Sequence, residues 1–167
     1  MWYSREMKMV LLHDIRSTHN VGSMFRTADT LGVTQIFLSG CTPTPVDRFG
    51  RARGDIAKTA LGAEKSVSWE YIGADIADVK KFLKKLKQET HSRFIGIEQS
   101  KNSVDYKKVK IGKKENVLFV VGNEVEGIPP AILSLCDTIA EIPMHGTKES
   151  LNVSVAFGVA LFRMLGV

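Results

Sequence analysis

Residues 116–121 read NVLFVV, and this stretch decides the fold. From Val117 to Val121 no polar residue interrupts the run. Such continuity describes a strand covered on both faces, as in a parallel sheet. Further strands are expected at 8–12 (KMVLL), 35–39 (QIFLS), 93–98 (RFIGIE) and 138–142 (TIAEI), with a brief one at 66–69. Helical patterns fall between them. One spans 21–31 with Asn20 as its expected N-cap, and another spans 75–89 with Ile76, Val79, Phe82, Leu83 and Leu86 as its apolar stripe. A short helix is expected at 130–136, a long loop at 40–54, and a final helix from Leu151 onward, apolar enough to be buried on all sides. Strands alternating with helices imply an α/β domain with a mostly parallel sheet and flanking helices. In such sheets ligands bind beyond the carboxyl ends of the strands, which directs attention to the loops after Val121 and Ile142.

The totals agree with one domain spanning 1–167. The chain has 167 residues, 44% of them apolar and 25% charged, as in an ordinary soluble protein. No run reaches the length of a membrane span, and the N-terminus does not read as a signal peptide. Cys41 and Cys136 stand far apart with no metal-ligand spacing, which fits reduced thiols in the cytoplasm and neither a disulfide nor a zinc site. A net charge of +5 is compatible with a nucleic-acid partner without requiring one.

Three stretches carry candidate chemistry. In 19–29 (HNVGSMFRTAD), Arg26 and Asp29 share a helix face and are spaced to pair. Alternatively, the planar fork of Arg26 grips a phosphate or carboxylate. In 121–130 (VGNEVEGIPP), Gly122 lets backbone approach a ligand, and Glu124 and Glu126 are acceptors for an amine or a ribose. The other reading is a left-handed turn with solvated carboxylates. No GxGxxG follows a strand and no GxxxxGK[ST] occurs, so those phosphate cradles are excluded. In 142–162 (IPMHGTKESLNVSVAFGVALF), Ser150 is the expected cap of the final helix and Asn152 points from its first turn. Polar groups at the mouth of so apolar a helix need a structural partner or a ligand.

Together, NVGSMFRTADTLGV (20–33), FVVGNEVEGIPP (119–130) and the 142–162 stretch resemble the three motifs of the SpoU (TrmH-like) ribose 2′-O-methyltransferases of the SPOUT class. KTALGAEK at 58–65 is similar to a further segment of that family. The resemblance implies a C-terminal deep trefoil knot, a homodimer with a composite active site, and no metal. It also implies S-adenosylmethionine held by backbone around Gly122, Ile142 and Leu151, with Met144 beside it. Asn20, Glu124, Ser150 and Asn152 would shape the catalytic pocket, and Arg26 would approach the target nucleotide. His19 and His145 are candidate proton relays.

The implied activity is methylation of an RNA ribose, with tRNA favoured over rRNA. A noncatalytic RNA-binding member of the fold is the alternative. Arg48, Arg51 and Arg53, interleaved with Phe49, are the expected RNA contacts, since arginines beside an aromatic suit phosphates and an unpaired base. No separate RNA-binding domain is expected. The lysines of 80–87 mostly read as a solvated helix face.

Overall fold

Seven parallel strands form one sheet in the computed structural model, which describes residues 6–167. In chain order they are β1 (Lys8–His13), β2 (Gln35–Ser39), β3 (Trp69–Tyr71), β4 (Arg93–Ile97), β5 (Val104–Asp105), β6 (Val117–Val121) and β7 (Thr138–Glu141). Their spatial order is β3-β2-β1-β6-β4-β7-β5, and every pairing is parallel. β6 lies between β1 and β4, with Val120 opposite Leu11 on one side and Gly96 on the other. All five of its residues are buried.

That position explains the unbroken apolar run. Phe119 and Val121 join Val10 and Leu12 in a core beneath α1 (Thr18–Thr30), α2 (Gly54–Ala60) and α6 (Val153–Leu165). Leu118 and Val120 point the other way, into a second core with Met9 and Leu11 beneath α4 (Ile76–Thr90) and α5 (Pro130–Leu133). Alternate residues of one strand thus serve two cores. Phe25, Phe119 and Phe157 are fully buried in the first, each contributing about 1.5–3 kcal/mol relative to exposure.

The remaining helix, α3 (Ala63–Ser66), corrects one expectation. The strand expected at 66–69 lies at Trp69–Tyr71, because the parallel register sets Trp69 opposite Ile36 and Tyr71 opposite Leu38. The helix expected at 130–136 ends at Leu133.

Two helix starts also differ. α1 is capped by Ser17, whose hydroxyl accepts from the Asn20 N–H at 3.2 Å. The cap therefore lies three residues earlier than expected, and the Asn20 side chain is released for other contacts. Val21, Met24, Phe25 and Ala28 then form the buried stripe of α1. α6 is capped by Asn152 rather than Ser150: Asn152 Oδ1 accepts from Ser154 N at 2.9 Å and from Ser154 Oγ at 2.6 Å. Such a cap stabilises a helix by about 1 kcal/mol.

α6 is not buried on all sides. Phe157, Ala160, Leu161 and Met164 face the core, whereas Val155, Val159 and Phe162 are 49%, 41% and 37% exposed. Their i, i+4, i+7 spacing makes one exposed apolar stripe. Among the described residues no helix is long and apolar enough to cross a membrane.

Candidate active site

The carboxyl ends of β4, β6 and β7 open into loops that converge. Behind β6, residues 123–127 close on themselves: Asn123 and Gly127 exchange both backbone hydrogen bonds at 3.0 Å. Asn123 Oδ1 accepts from the N–H groups of Val125 and Glu126 at 2.8 and 3.0 Å. Its Nδ2 donates to the Asp14 carbonyl at 3.0 Å, so a single 7%-exposed amide fixes the loop internally and to the end of β1. Gly122 is required here for a reason other than ligand approach. A Cβ at this position would overlap the Gly127 carbonyl and come within 2.5 Å of Ile128 N. Gly127 itself has φ +73°, so the left-handed turn and the candidate site are the same object.

Glu98, at the end of β4, buttresses the turn. Its Oε2 accepts from Ile128 N at 2.9 Å, and its Oε1 accepts from Gln99 N at 2.9 Å. Gln99 Nε2 then donates to the Glu149 carbonyl at 2.8 Å, tying the β4 loop to the 142–152 loop.

A chain of polar side chains crosses the front of the site. Asn152 Nδ2 donates to Asn20 Oδ1 at 3.2 Å, and Asn20 Nδ2 donates to Glu124 Oε1 at 3.1 Å. The Arg16 backbone N–H reaches Glu124 Oε2 at 3.4 Å. Partial burial alone raises the Glu124 carboxyl. Hydrogen bonds from its own N–H, from the Asn20 amide and from the backbone of Arg16 and Ser17 outweigh that, and its pKa lies below the ordinary value. The group is an ionised acceptor with a fixed orientation.

These loops enclose a cleft of about 320 Å³. Gly122, Ile142, Met144 and Leu151 all line it, as do Glu124 and Ser150. Ile97, Val153 and Ala156 add apolar wall, and Glu98, Gln99, Asn123 and Glu149 add polar groups. Asn20 and Asn152 stand outside the lining and act on it through Glu124.

Arg26 is not brought to the cleft. It is exposed on α1, six residues beyond Asn20 and so about 9 Å along the helix. Its expected pairing with Asp29 does not form: among the described residues, Asp29 instead accepts from Ser66 Oγ at 2.7 Å. His19 and His145 are exposed and line no part of the cleft. Glu126 is likewise exposed outside it.

Arg48, Arg51 and Arg53 lie in a different place, along an open groove of about 770 Å³ between the 40–53 loop and β3. Arg51 pairs with Asp47 at 2.7 Å and Arg53 with Asp55 at 3.4 Å.

Sequence reasoning missed Asn123, Glu98, Gln99 and Ser17. Asn123 had a signal, since a Gly-Asn pair directly after a buried strand, with a second Gly four residues beyond the Asn, is turn chemistry. Glu98 and Gln99 had none, because their partners are 30 and 50 residues away.

The description "SpoU rRNA Methylase family" matches residues 7–162. The 23S rRNA (guanosine-2′-O-)-methyltransferase RlmB of Neisseria meningitidis is 31% identical over 92% of this chain and 56% of its own length. The tRNA (guanosine(18)-2′-O)-methyltransferase of Aquifex aeolicus is 30% identical over 92% of this chain and 66% of its own. The chain thus spans between half and two thirds of these relatives. An AdoMet-bound rRNA methyltransferase from Sinorhizobium meliloti superposes with a TM-score of 0.81 at 25% identity, over 96% of this chain and 56% of that one. With the match running through all three loops of the cleft, the chain belongs to the SpoU rRNA methylase family.

Proposed function

We propose that the protein transfers a methyl group from S-adenosylmethionine to a ribose 2′-hydroxyl of RNA. One observation carries this reading: residues 97–99, 122–127 and 142–156 close around a single cleft whose polar front is held by Glu124, Asn20 and Asn152. The cleft fits the cofactor by its chemistry. Ile142, Met144 and Leu151 offer apolar contact and backbone groups to an adenosine, while Glu124 and Glu149 suit a positively charged sulfonium. A volume of about 320 Å³ is within the range of small-molecule sites. When bound, the sulfonium supplies an electrophilic methyl group.

The protein's own residues then have three tasks. The loop fixed by Asn123 and Glu98 holds the reactants in near-attack geometry, an effect worth up to about 7–11 kcal/mol in the best cases. Glu124, oriented by Asn20, accepts hydrogen bonds at the mouth. Arg26 binds the neighbouring phosphate and stabilises the developing alkoxide, because a guanidinium is a donor with no acceptor lone pair and is no base. The proton leaves to phosphate or water.

Arg26 lies outside the cleft of its own chain, which favours a homodimer in which it completes the partner's site. The exposed Val155, Val159 and Phe162 stripe supplies a surface for that dimer. A trefoil knot is the proposed path of the C-terminal segment. Its support is that the chain leaves β7, is tied through the Glu149 carbonyl to Gln99 of the 98–103 loop, shares the cleft with the 122–127 loop, and packs α6 on α1. The RNA is structured, with tRNA favoured over rRNA, and the setting is the cytoplasm. Arg48, Arg51 and Arg53 contact its backbone.

The test is incubation with methyl-labelled S-adenosylmethionine and separated tRNA and rRNA fractions, followed by digestion to nucleosides. The expected result is label on ribose in one fraction, lost in Arg26→Ala. Label on a base, or none despite measured cofactor binding, overturns the reading.

A further inference from the structure

The loop that carries the three arginines is a built structure with an exposed aromatic ring at its tip. Val46 and Ala52 pair as an antiparallel bridge, and Arg53 N donates to the Pro45 carbonyl at 2.9 Å. Asp47 organises the turn between them. Its Oδ1 accepts from Phe49 N at 2.8 Å and Arg51 N at 3.0 Å, and its Oδ2 accepts from Arg51 Nε at 2.8 Å. Those bonds fix the backbone on both sides of Phe49. The ring is nevertheless 67% exposed and belongs to neither core.

A phenyl group left in water at the end of a rigid hairpin gains nothing for the fold. Its surroundings indicate what it meets instead. The guanidinium of Arg48 lies over the ring at 4.8 Å from its centroid and that of Arg51 at 5.1 Å. Three arginines and one acid, Asp47, line the groove beside it, and Trp69 and Tyr71 form the groove's other wall at the edge of the sheet. Flat π surfaces framed by positive charge suit a stacked base with phosphates on either side. Within a continuous duplex no base face is free to stack, so this surface selects unpaired nucleotides.

We propose that Phe49 is a base-stacking subsite, and that the RNA bound by this protein presents unpaired nucleotides to the 46–52 hairpin rather than continuous duplex. The inference rests on the RNA substrate proposed above and narrows its class. The groove also has a fixed connection to the cleft. Cys41 N, at the start of the loop, donates to Asp14 Oδ1 at 2.8 Å, while the Asp14 carbonyl holds Asn123 at 3.0 Å. Asp14 takes φ +54° to serve both loops.

Binding of single-stranded polyadenylate and of the poly(A)·poly(U) duplex tests this at equal salt, with wild type, Phe49→Ala and Phe49→Trp. Charge attraction alone favours the duplex, whose phosphates are denser. The expected result is tighter binding of the single strand by wild type, a loss of about 5- to 150-fold in Phe49→Ala, and recovery in Phe49→Trp. Duplex affinity and melting temperature should stay unchanged in both variants, since the ring is 67% exposed and belongs to neither core. Duplex preference in wild type, or equal single-strand affinity in wild type and Phe49→Ala, overturns the subsite. Because binding needs neither cofactor nor turnover, a protein that stacks polyadenylate yet transfers no methyl would refute the enzymatic reading while sustaining this one.

Discussion

Asn152 Nδ2 donates to Asn20 Oδ1 across 132 residues of chain, joining the cap of the last helix to the first turn of the first. The same asparagine caps α6 through Oδ1, and Asn20 passes the orientation on to Glu124. One amide therefore caps a helix with its oxygen and reaches the Glu124 network with its nitrogen, and the two contacts can be separated.

Asn152→Asp keeps the capping oxygen and removes the donor to Asn20. Asp caps helices about as well as Asn, so the melting temperature should fall by no more than a few degrees. Turnover should drop about tenfold or more, because Glu124 loses its fixed geometry and gains a like charge nearby. Asn152→Ala should lose both properties. Thermal melting paired with methyl-transfer rates checks the split; equal rates in wild type and Asn152→Asp would show that the network does not reach the reaction.

Gly122→Ala tests the turn. The added methyl would overlap the Gly127 carbonyl, and backbone rather than a flexible side chain must move. Overpacking of this kind costs about 1–3 kcal/mol. The displaced loop lines the cleft, so cofactor affinity measured by calorimetry should fall together with stability. Unchanged affinity would mean that the 123–127 turn is not part of the binding surface.

Much of this was legible beforehand, and the failures have physical causes. β2 was read to the residue and β6 to within one, because a strand buried on both faces needs an uninterrupted apolar run. Gly122, Ile142, Met144 and Leu151, which the family resemblance implies as neighbours of a cofactor, all line one cleft. The cap of α1 was misplaced because Ser17, Thr18 and Asn20 are all capping types, and the buried stripe beginning at Val21 suits either start. The cap of α6 was misplaced for the same reason, with Ser150 and Asn152 two residues apart. The network of Asn20, Glu124 and Asn152 was not legible as contacts, since each of its bonded pairs is separated by more than 100 residues.

Glu124 predicts an acid limb. Hydrogen bonds hold its pKa below the ordinary 4.5 despite partial burial. A depressed carboxylate contributes stability that is present above the unfolded-state value and lost as pH falls through the folded-state value. At pH 7 it is fully ionised. Cofactor binding should therefore be flat from neutral pH down to the ordinary carboxylate range and weaken only below it. Asn20→Ala removes one of the bonds that lower the pKa, so the midpoint of that acid limb should move to higher pH. Calorimetric titration between pH 3 and pH 7 checks the direction. A midpoint that stays put or moves down would contradict the assigned role of Asn20.

The exposed face of α6 carries the strongest claim about assembly. Sequence alone suggested a helix buried throughout, and the single chain leaves Val155, Val159 and Phe162 in water. That mismatch is resolved if a second copy covers the stripe. Val159→Asp should then yield a monomer in sedimentation, with the fold retained, because Val159 is 41% exposed within one chain and the new charge meets solvent there. Activity should vanish with the dimer, since Arg26 lies outside the cleft of its own subunit. Subunit mixing makes the same point without breaking the interface. Arg26→Ala and Asn152→Ala proteins, each inactive alone, should regain up to about a quarter of wild-type activity when exchanged into heterodimers. In a random mixture half of the dimers are mixed, and each of these has one intact site of two. No recovery after verified exchange would mean that each site takes Arg26 and Asn152 from one and the same subunit, and the shared-site arrangement would have to be abandoned.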